Sequence, residues 1–430
     1  MKNKILEILN KLKNKGAFSI LLGTLSSKFV AFFASIFVVR LLTKEQYGQL
    51  SYFENIYSYF YIFAGLGLAN SILRYVVIKE SKIEKLKVFN YSINVGSLFN
   101  FLLIVLASIF VFFVPRPREF SGNSLIFEVV ILLLPIRYII DCCLNLERAT
   151  FDNNNYALHS FLLSFIVVFF RILGAKFDSL RGAVYFPFFA QLLFMIFLYI
   201  FSIKKNFSME KTEFSKLKEI NLEKKEINTY SFQYMITNGL WAIFMLNDVF
   251  ILGNFLKNAN LVAEYKVAYV LPACLSIFSS AIGIFVGPYF TKNEKNGNFN
   301  WVWNNWKKVC FVSIVSIGLI SVILFIFANI FIKILYGDTY LSATKVMQIL
   351  TISSFINSAL RFPTANILAS VGKIKINLVS AVIGVITQII LDLLVVNKFG
   401  ILGIAFVNIL VYSLMSALVI ISFIKNYKKK

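Results

Sequence analysis

Twelve apolar stretches run through the chain, each about the length a helix needs to cross a bilayer, with short polar segments between them. They cover approximately 17–39, 49–73, 93–114, 124–144, 157–174 and 182–203 in the first half. In the second half they cover 230–252, 265–289, 308–332, 345–369, 374–396 and 400–424. In hydrocarbon no water is present to satisfy backbone N–H and C=O groups, so such stretches must coil into helices. This predicts an all-α polytopic membrane protein with about 12 transmembrane helices. Composition agrees. Of 430 residues, 58% are hydrophobic and 15% charged, whereas a soluble domain carries about 25% charged residues.

An even number of spans puts both termini on one side. The segments on that side, from the N-terminus through 74–87, 204–225 and 292–308 to the C-terminal tail, hold about 28 of the 43 Lys and Arg; the opposite side holds about 12. The excess marks the cytoplasmic side, so both termini are expected there. The net charge of +22 therefore reads as topology and affinity for anionic lipid headgroups, not as a nucleic-acid surface. Before the first stretch, Ile5, Leu6, Ile8, Leu9 and Leu12 recur at helical spacing among lysines. Residues 1–16 are expected to form an amphipathic helix on the membrane surface. The run that follows is too long for a signal-peptide core and is read as a retained span.

The spacing of landmarks divides the chain into two six-helix lobes, 1–203 and 230–430, joined by a cytoplasmic linker at 204–229. The ends of the sixth and twelfth stretches align on Ile203 and Ile424, which places Gly182 on Gly403. The segment Leu146-Glu147-Arg148 resembles Val371-Gly372-Lys373, and aligning there brings Arg137 within a residue of Arg361. With six spans in each half, the repeats are parallel, related by an axis along the membrane normal.

Charges inside the spans are few: Lys28, Glu54, Arg137, Asp141, Asp248, Arg361 and Asp392. A charge at mid-bilayer costs about 2.5–3.5 kcal/mol on insertion scales, so these groups should face a watery cavity or each other. Arg137 and Asp141 are four apart and can pair on one helix face; a cavity role is the other reading. Arg361 and Lys28 have no local carboxylate, which favours a cavity that takes an anionic ligand. With Arg74, these make the candidate substrate-binding cations Arg361, Arg137, Lys28 and Arg74. Asp248, Asp141, Glu54 and Asn247 are the candidates for coupling to H+ or Na+, or for polar lining. Asp392, near the end of its stretch, fits an interfacial, snorkelling position as well as a functional one.

Gly65, Gly67, Pro135, Pro187, Pro272, Gly287-Pro288 and Pro363 fall inside spans, where breaks are tolerated if the backbone lines a cavity or is satisfied by other helices. Cys142, Cys143, Cys274 and Cys310 lack metal-ligand spacing and read as small buried hydrophobes. The single histidine, His159, fits a packing or interfacial role. The sequence shows no P-loop, HExxH, CxxC or GxGxxG pattern, so neither a cofactor nor a resident metal is expected. No segment between the spans could hold a nucleotide-binding domain. That leaves a secondary transporter, a channel or an intramembrane enzyme.

Arg40-Leu41-Leu42 through Tyr47-Gly48, Gly65-Leu66-Gly67 and Arg74-Tyr75 resemble the start of polysaccharide-repeat flippases. So do Asn247-Asp248, Leu252-Gly253, Tyr265 and Ala268 in the middle, Gly372-Lys373 with Lys375 before the eleventh stretch, and Asn397 to Gly403 before the twelfth. The chain thus resembles the Wzx-type O-antigen or capsule flippases of the multidrug/oligosaccharidyl-lipid/polysaccharide exporter superfamily over nearly its whole length. The resemblance implies a bacterial inner-membrane protein, not an enzyme, with two six-helix lobes in a V-shaped fold like that of the multidrug and toxin extrusion transporters. Its partners would be an undecaprenyl-diphosphate-linked oligosaccharide, membrane lipids and polysaccharide polymerase or assembly proteins. The oligosaccharide would move from the cytoplasmic to the outer leaflet by alternating access. Lipid II flippases of the superfamily usually carry two further C-terminal spans, which argues against that substrate. Two other readings stay open. A multidrug cation antiporter of the same superfamily would prefer an acidic cavity, and a membrane polymerase or glycosyltransferase would usually present a large external loop.

Overall fold

A computed structural model of the protein describes residues 30–113 (apart from 31 and 34), 124–207 and 223–428. The amphipathic segment 1–16, Lys28 with most of the first stretch, and residues 208–222 of the linker lie outside the described residues. All regular structure among the described residues is helical. After helical residues 35–41 come α1 (Lys44–Ile62), a 3₁₀ turn (Ala64–Gly67), α2 (Leu68–Ile78), α3 (Lys82–Phe113), α4 (Ser124–Ala149) and α5 (Asn153–Asn206). The second half comprises α6 (Lys224–Ile251), a π stretch (Leu252–Leu256), α7 (Ala259–Ala273), α8 (Leu275–Lys295) and α9 (Phe299–Ile326). It continues with α10 (Ala328–Tyr336), a 3₁₀ turn (Asp338–Ala343), α11 (Thr344–Phe355), a π stretch (Ile356–Arg361), α12 (Phe362–Ser370) and α13 (Ile374–Tyr427). Among the described residues, six of these helices are long and apolar enough to cross a membrane, and α1 with the following bent segment makes a seventh candidate.

Local chemistry explains the element ends. Thr43 starts α1 with a capping box: its side chain accepts from the Gln46 N–H at 3.2 Å, and its own N–H donates to the Gln46 side chain at 3.2 Å. The predicted 49–73 span is not one straight helix. It bends by 48° where Gly65, Leu66 and Gly67 all take positive φ. Gly65 is required there twice over, since a Cβ would also fall 2.1 Å from the Tyr138 ring. Pro135, by contrast, lies within an uninterrupted α4, and Pro363 begins α12 just after the π stretch.

α5 and α13 are each 54 residues long, about 80 Å if straight, against a hydrocarbon core of about 30 Å. Each is broken where the expected pair of spans meets, α5 at Asp178–Ser179 and α13 at Gly400. Aligning Gly182 with Gly403 puts Ser179 on Gly400, and both have positive φ, 46° and 53°. The repeat is thus visible in backbone geometry as well as in sequence. At the α5 break the two arms touch through glycines: a Cβ on Gly182 would sit 2.1 Å from the Gly174 carbonyl oxygen. Backbone cannot rotate away as a side chain can. Gly182→Ala is therefore expected to destabilise the protein by about 1–3 kcal/mol or more, read as lower folded yield and melting temperature in detergent. An unchanged melting temperature would refute the close approach.

The chain divides into two compact units. Of the described residues, one contains those up to Gln46, 56–113, 124–207 and 223–239; the other contains Tyr47–Asn55 and 240–428. The core of the first unit gathers Ile72, Val76, Val88, Phe89, Tyr138, Cys142, Cys143 and Leu198. Within the second unit, the Tyr47–Asn55 portion of α1 packs tightly. A Cβ on Gly48 would overlap the Ala259 carbonyl oxygen at 1.8 Å, and the Asn55 amide donates to the Leu246 carbonyl at 3.0 Å.

His159 has the packing role expected of it. It is buried in the first unit against the rings of Phe194, Phe197 and Phe201, with Nδ1 2.6 Å from Glu147 Oε1. Glu147 is itself 1% exposed, and burial raises its pKa despite the histidine. Removing one member of a buried pair strands the other, at a cost of about 3–5 kcal/mol. His159→Leu should lower the melting temperature markedly, and the Glu147→Gln/His159→Leu double variant should recover part of the loss. Additive effects of the two changes would count against a coupled pair.

Candidate functional site

The sequence candidates separate into three clusters. The first is Arg361, in the second unit. It ends the π stretch Ile356–Arg361, a local widening of the helix of the kind that often marks functional sites. The side chain is 6% exposed. One Nη donates to Asn357 Oδ1 at 3.1 Å, and the guanidinium lies 4.7 Å from the centre of the Trp241 ring. Its Nε–H has no hydrogen-bond partner among the described residues. Nor does any carboxylate there pair with it, as the sequence suggested. A buried guanidinium held by an amide and an aromatic face, with an unused donor, suits an anion that arrives from outside the protein.

The second cluster is acidic and also lies in the second unit. Asp248 on α6 is 7% exposed and accepts three hydrogen bonds. Gln388 Nε2 donates to Oδ1 at 2.8 Å, Asn408 Nδ2 to Oδ2 at 2.7 Å, and the Tyr265 hydroxyl to the same Oδ2. Next to it, Asn247 donates to Asp392 Oδ2 at 2.8 Å. The snorkelling reading of Asp392 is wrong: its exposure is 0%, because its side chain faces α6, where Asn247 donates to it. Asp392 Oδ1 and Gln388 Oε1 have no partner among the described residues. Two buried carboxylates, with that unpartnered Asp392 oxygen and that unpartnered Gln388 amide oxygen beside them, present a site for a small cation or proton. Glu54 of α1 is half-buried in the same unit.

The third cluster, in the first unit, is the pair anticipated for α4. Arg137 Nε lies 3.3 Å from Asp141 Oδ1, and the Tyr61 hydroxyl donates to Asp141 Oδ2. Tyr61 stacks on Tyr57 at 5.6 Å. The local-pair reading of Arg137 holds. The pair is not sealed, since the arginine side chain is 36% exposed, and a charge half-exposed within a span must face water or polar groups. Arg74, also in the first unit, is exposed at the end of α2 and lies over the ring of Tyr230 at 4.5 Å. Lys28 lies outside the described residues.

Sequence reasoning missed Trp241, Tyr265, Gln388 and Asn408. Three of them left a readable signal: Gln388 stands four residues before Asp392, Asn408 is a lone amide in the last apolar stretch, and Tyr265 belongs to the motif already quoted. Trp241 left none, because an aromatic residue in an apolar stretch reads as core packing.

Known proteins can now be set beside this geometry. Residues 14–294 match the family model described as polysaccharide biosynthesis protein. An uncharacterized membrane protein of Methanocaldococcus jannaschii is 24% identical over 408 residues, covering 90% of this chain and 79% of its own. Among solved structures, the lipid II flippase MurJ in an inward closed conformation superposes with a TM-score of 0.72 at 17% identity, covering 95% of this chain and 89% of its own. An inward-facing multidrug transporter of the same exporter superfamily gives 0.69 at 15% identity, covering 94% and 96%. These likenesses show the fold, an all-α multi-pass membrane architecture shared with that superfamily. The chain belongs to the polysaccharide biosynthesis protein family.

Proposed function

We propose that the protein is a flippase for an undecaprenyl-diphosphate-linked oligosaccharide, moving it from the cytoplasmic to the outer leaflet of the cytoplasmic membrane for O-antigen or capsule assembly. Arg361 carries the reading: a buried cation that has, among the described residues, no carboxylate partner and one unused donor, in a family of polysaccharide biosynthesis proteins. Diphosphate and sugar cannot cross hydrocarbon alone, because every hydroxyl and phosphate oxygen would lose its hydrogen bonds. A guanidinium offers the diphosphate a bidentate partner of opposite charge. Arg137 and Arg74 offer further positive charge, Arg137 with less effect because Asp141 offsets it. The role is transport, with no covalent chemistry and both termini in the cytoplasm. Polysaccharide polymerases or other assembly proteins would receive the product.

The Asp248–Asp392 cluster has the opposite chemistry. We assign it to the coupling ion, H+ or Na+, with Asn247, Gln388 and Asn408 supplying neutral oxygens and donors. Glu54, half-buried in the same unit, is a further candidate for that role. The same buried acids also favour a multidrug cation antiporter, the competing reading.

Deletion of the gene, followed by leaflet-resolved detection of lipid-linked oligosaccharide, separates the two. A flippase predicts accumulation in the cytoplasmic leaflet, reversed by the intact gene. Normal translocation in the deletion strain, with binding of a cationic dye by the purified protein, would instead establish the antiporter.

A further inference from the structure

α6 presents a polar face of which the clusters above use only Tyr230, beneath Arg74. In its first unit portion, positions i, i+3, i+4, i+7 and i+8 are Tyr230, Gln233, Tyr234, Thr237 and Asn238, which share one side of a helix. Four of the five are exposed, and Tyr230 is half-buried. The packed side of the same helix adjoins it: Ser231 and Met235 are buried. A third arc, Phe232 and Ile236, is exposed and apolar, at 51% and 46%. Hydrocarbon can accept the arc of Phe232 and Ile236. It cannot accept amides and hydroxyls whose hydrogen bonds would go unmade. The two exposed arcs therefore meet different surroundings, and the polar one faces water or a polar ligand.

The composition of the polar arc narrows the ligand. It carries no charge of its own. Two aromatic rings, Tyr230 and Tyr234, stand 6.4 Å apart and alternate with amides. Thr237 donates to the Gln233 carbonyl at 2.8 Å, and Asn238 to the Tyr234 carbonyl at 3.0 Å. Their side-chain oxygens remain as acceptors. The Gln233 amide has no hydrogen-bond partner among the described residues. At one end of the arc, Arg74 covers Tyr230, and the Tyr75 hydroxyl donates to Glu226 at 2.9 Å. Rings present flat apolar faces, and neutral amides and hydroxyls both donate and accept. That pairing suits a pyranose, which has a C–H face and a rim of hydroxyls. It does not suit a diphosphate, which needs cations, or a lipophilic cation, which needs carboxylates.

We propose that the Tyr230–Asn238 face of α6 is a saccharide track that binds the neutral sugar units of the translocated oligosaccharide, separately from the site that holds the diphosphate. This rests on the flippase reading for the identity of the substrate. The geometry of the face does not depend on Arg361.

Saturation-transfer NMR on the purified full chain in amphipol tests it with two kinds of probe. One is a panel of neutral trisaccharides (chitotriose, maltotriose and mannotriose); the other is farnesyl diphosphate, which has the isoprenyl diphosphate but no sugar. At least one trisaccharide should bind the wild type. The Tyr234→Leu variant, which leaves Tyr230 beneath Arg74, should weaken it by roughly tenfold or more, with farnesyl diphosphate binding unchanged. Gln233→Ala/Asn238→Ala, which removes no packed ring, should weaken the same trisaccharide and guards against misfolding of the tyrosine variant. Trisaccharide binding that is equal in the wild type and both variants would overturn the track. Farnesyl diphosphate binding with no trisaccharide bound by the wild type would overturn it and leave the flippase reading standing. Trisaccharide binding through this face without farnesyl diphosphate binding would uphold the track and remove the lipid-diphosphate substrate. Failure of both probes on the wild type would overturn both.

Discussion

Arg361→Met is expected to cut translocation of the lipid-linked oligosaccharide by about 10- to 150-fold, the equivalent of one charge-assisted hydrogen-bond set worth about 1.5–3 kcal/mol. The variant should remain folded. Methionine is flexible, fills the space of the aliphatic stem and packs against the Trp241 ring that now lies under the guanidinium. It also relieves the cost of holding a cation at 6% exposure with one donor unused. Equal or higher melting temperature with lost transport is therefore the signature of a residue kept for its ligand. Arg361→Lys keeps the charge but loses the planar fork, and should fall between the two. Arg137→Ala should act differently. Among the described residues its partner Asp141 would be left with only the Tyr61 hydroxyl, so stability should drop along with transport. Full transport by a normally expressed Arg361→Met protein would end the case for an anion site there.

The contrast between these two arginines shows how far the sequence reaches. Both stood out because a charge inside an apolar stretch is costly, and the i,i+4 spacing of Arg137 and Asp141 is enough to predict their pairing. That Arg361 lacks a carboxylate was legible in the same way. Its resting place on Trp241 was not, because that contact joins residues 120 positions apart and nothing in a run of aromatic residues distinguishes one ring. The spans themselves were legible almost to the residue at Gly400, where the expected eleventh and twelfth stretches meet and the backbone turns to positive φ. The break at Ser179 was hidden, since serine is not a residue that sequence marks for that conformation. Only its correspondence with Gly400 through the repeat exposes it. Asp392 was misplaced for a related reason. Depth along a helix can be counted, but burial depends on which face meets a neighbour, and both faces of α13 are apolar around it.

The acidic cluster should separate folding from coupling when its two carboxylates are changed one at a time. Asp248→Ala would leave the donors of Tyr265 and Gln388 without their acceptor, while Asn408 keeps the Tyr265 oxygen and the Ile404 carbonyl. Each buried donor so stranded costs about 1–3 kcal/mol, a large share of the roughly 5–15 kcal/mol that keep a domain folded. That variant should accumulate poorly in the membrane. Asp392→Asn is milder. Its remaining amide oxygen can still accept from Asn247, and the new N–H₂ takes the place of Oδ1, which has no partner among the described residues. Folding should be kept, and so should the Asp248 network. What disappears is one of the two carboxylates able to hold a cation. Transport by Asp392→Asn in proteoliposomes should accordingly lose its acceleration by an imposed Na+ or proton gradient, while a slow gradient-independent rate persists. If the variant responds to both gradients as the wild type does, Asp392 has no part in coupling, and its burial beside Asp248 must be explained by structure alone.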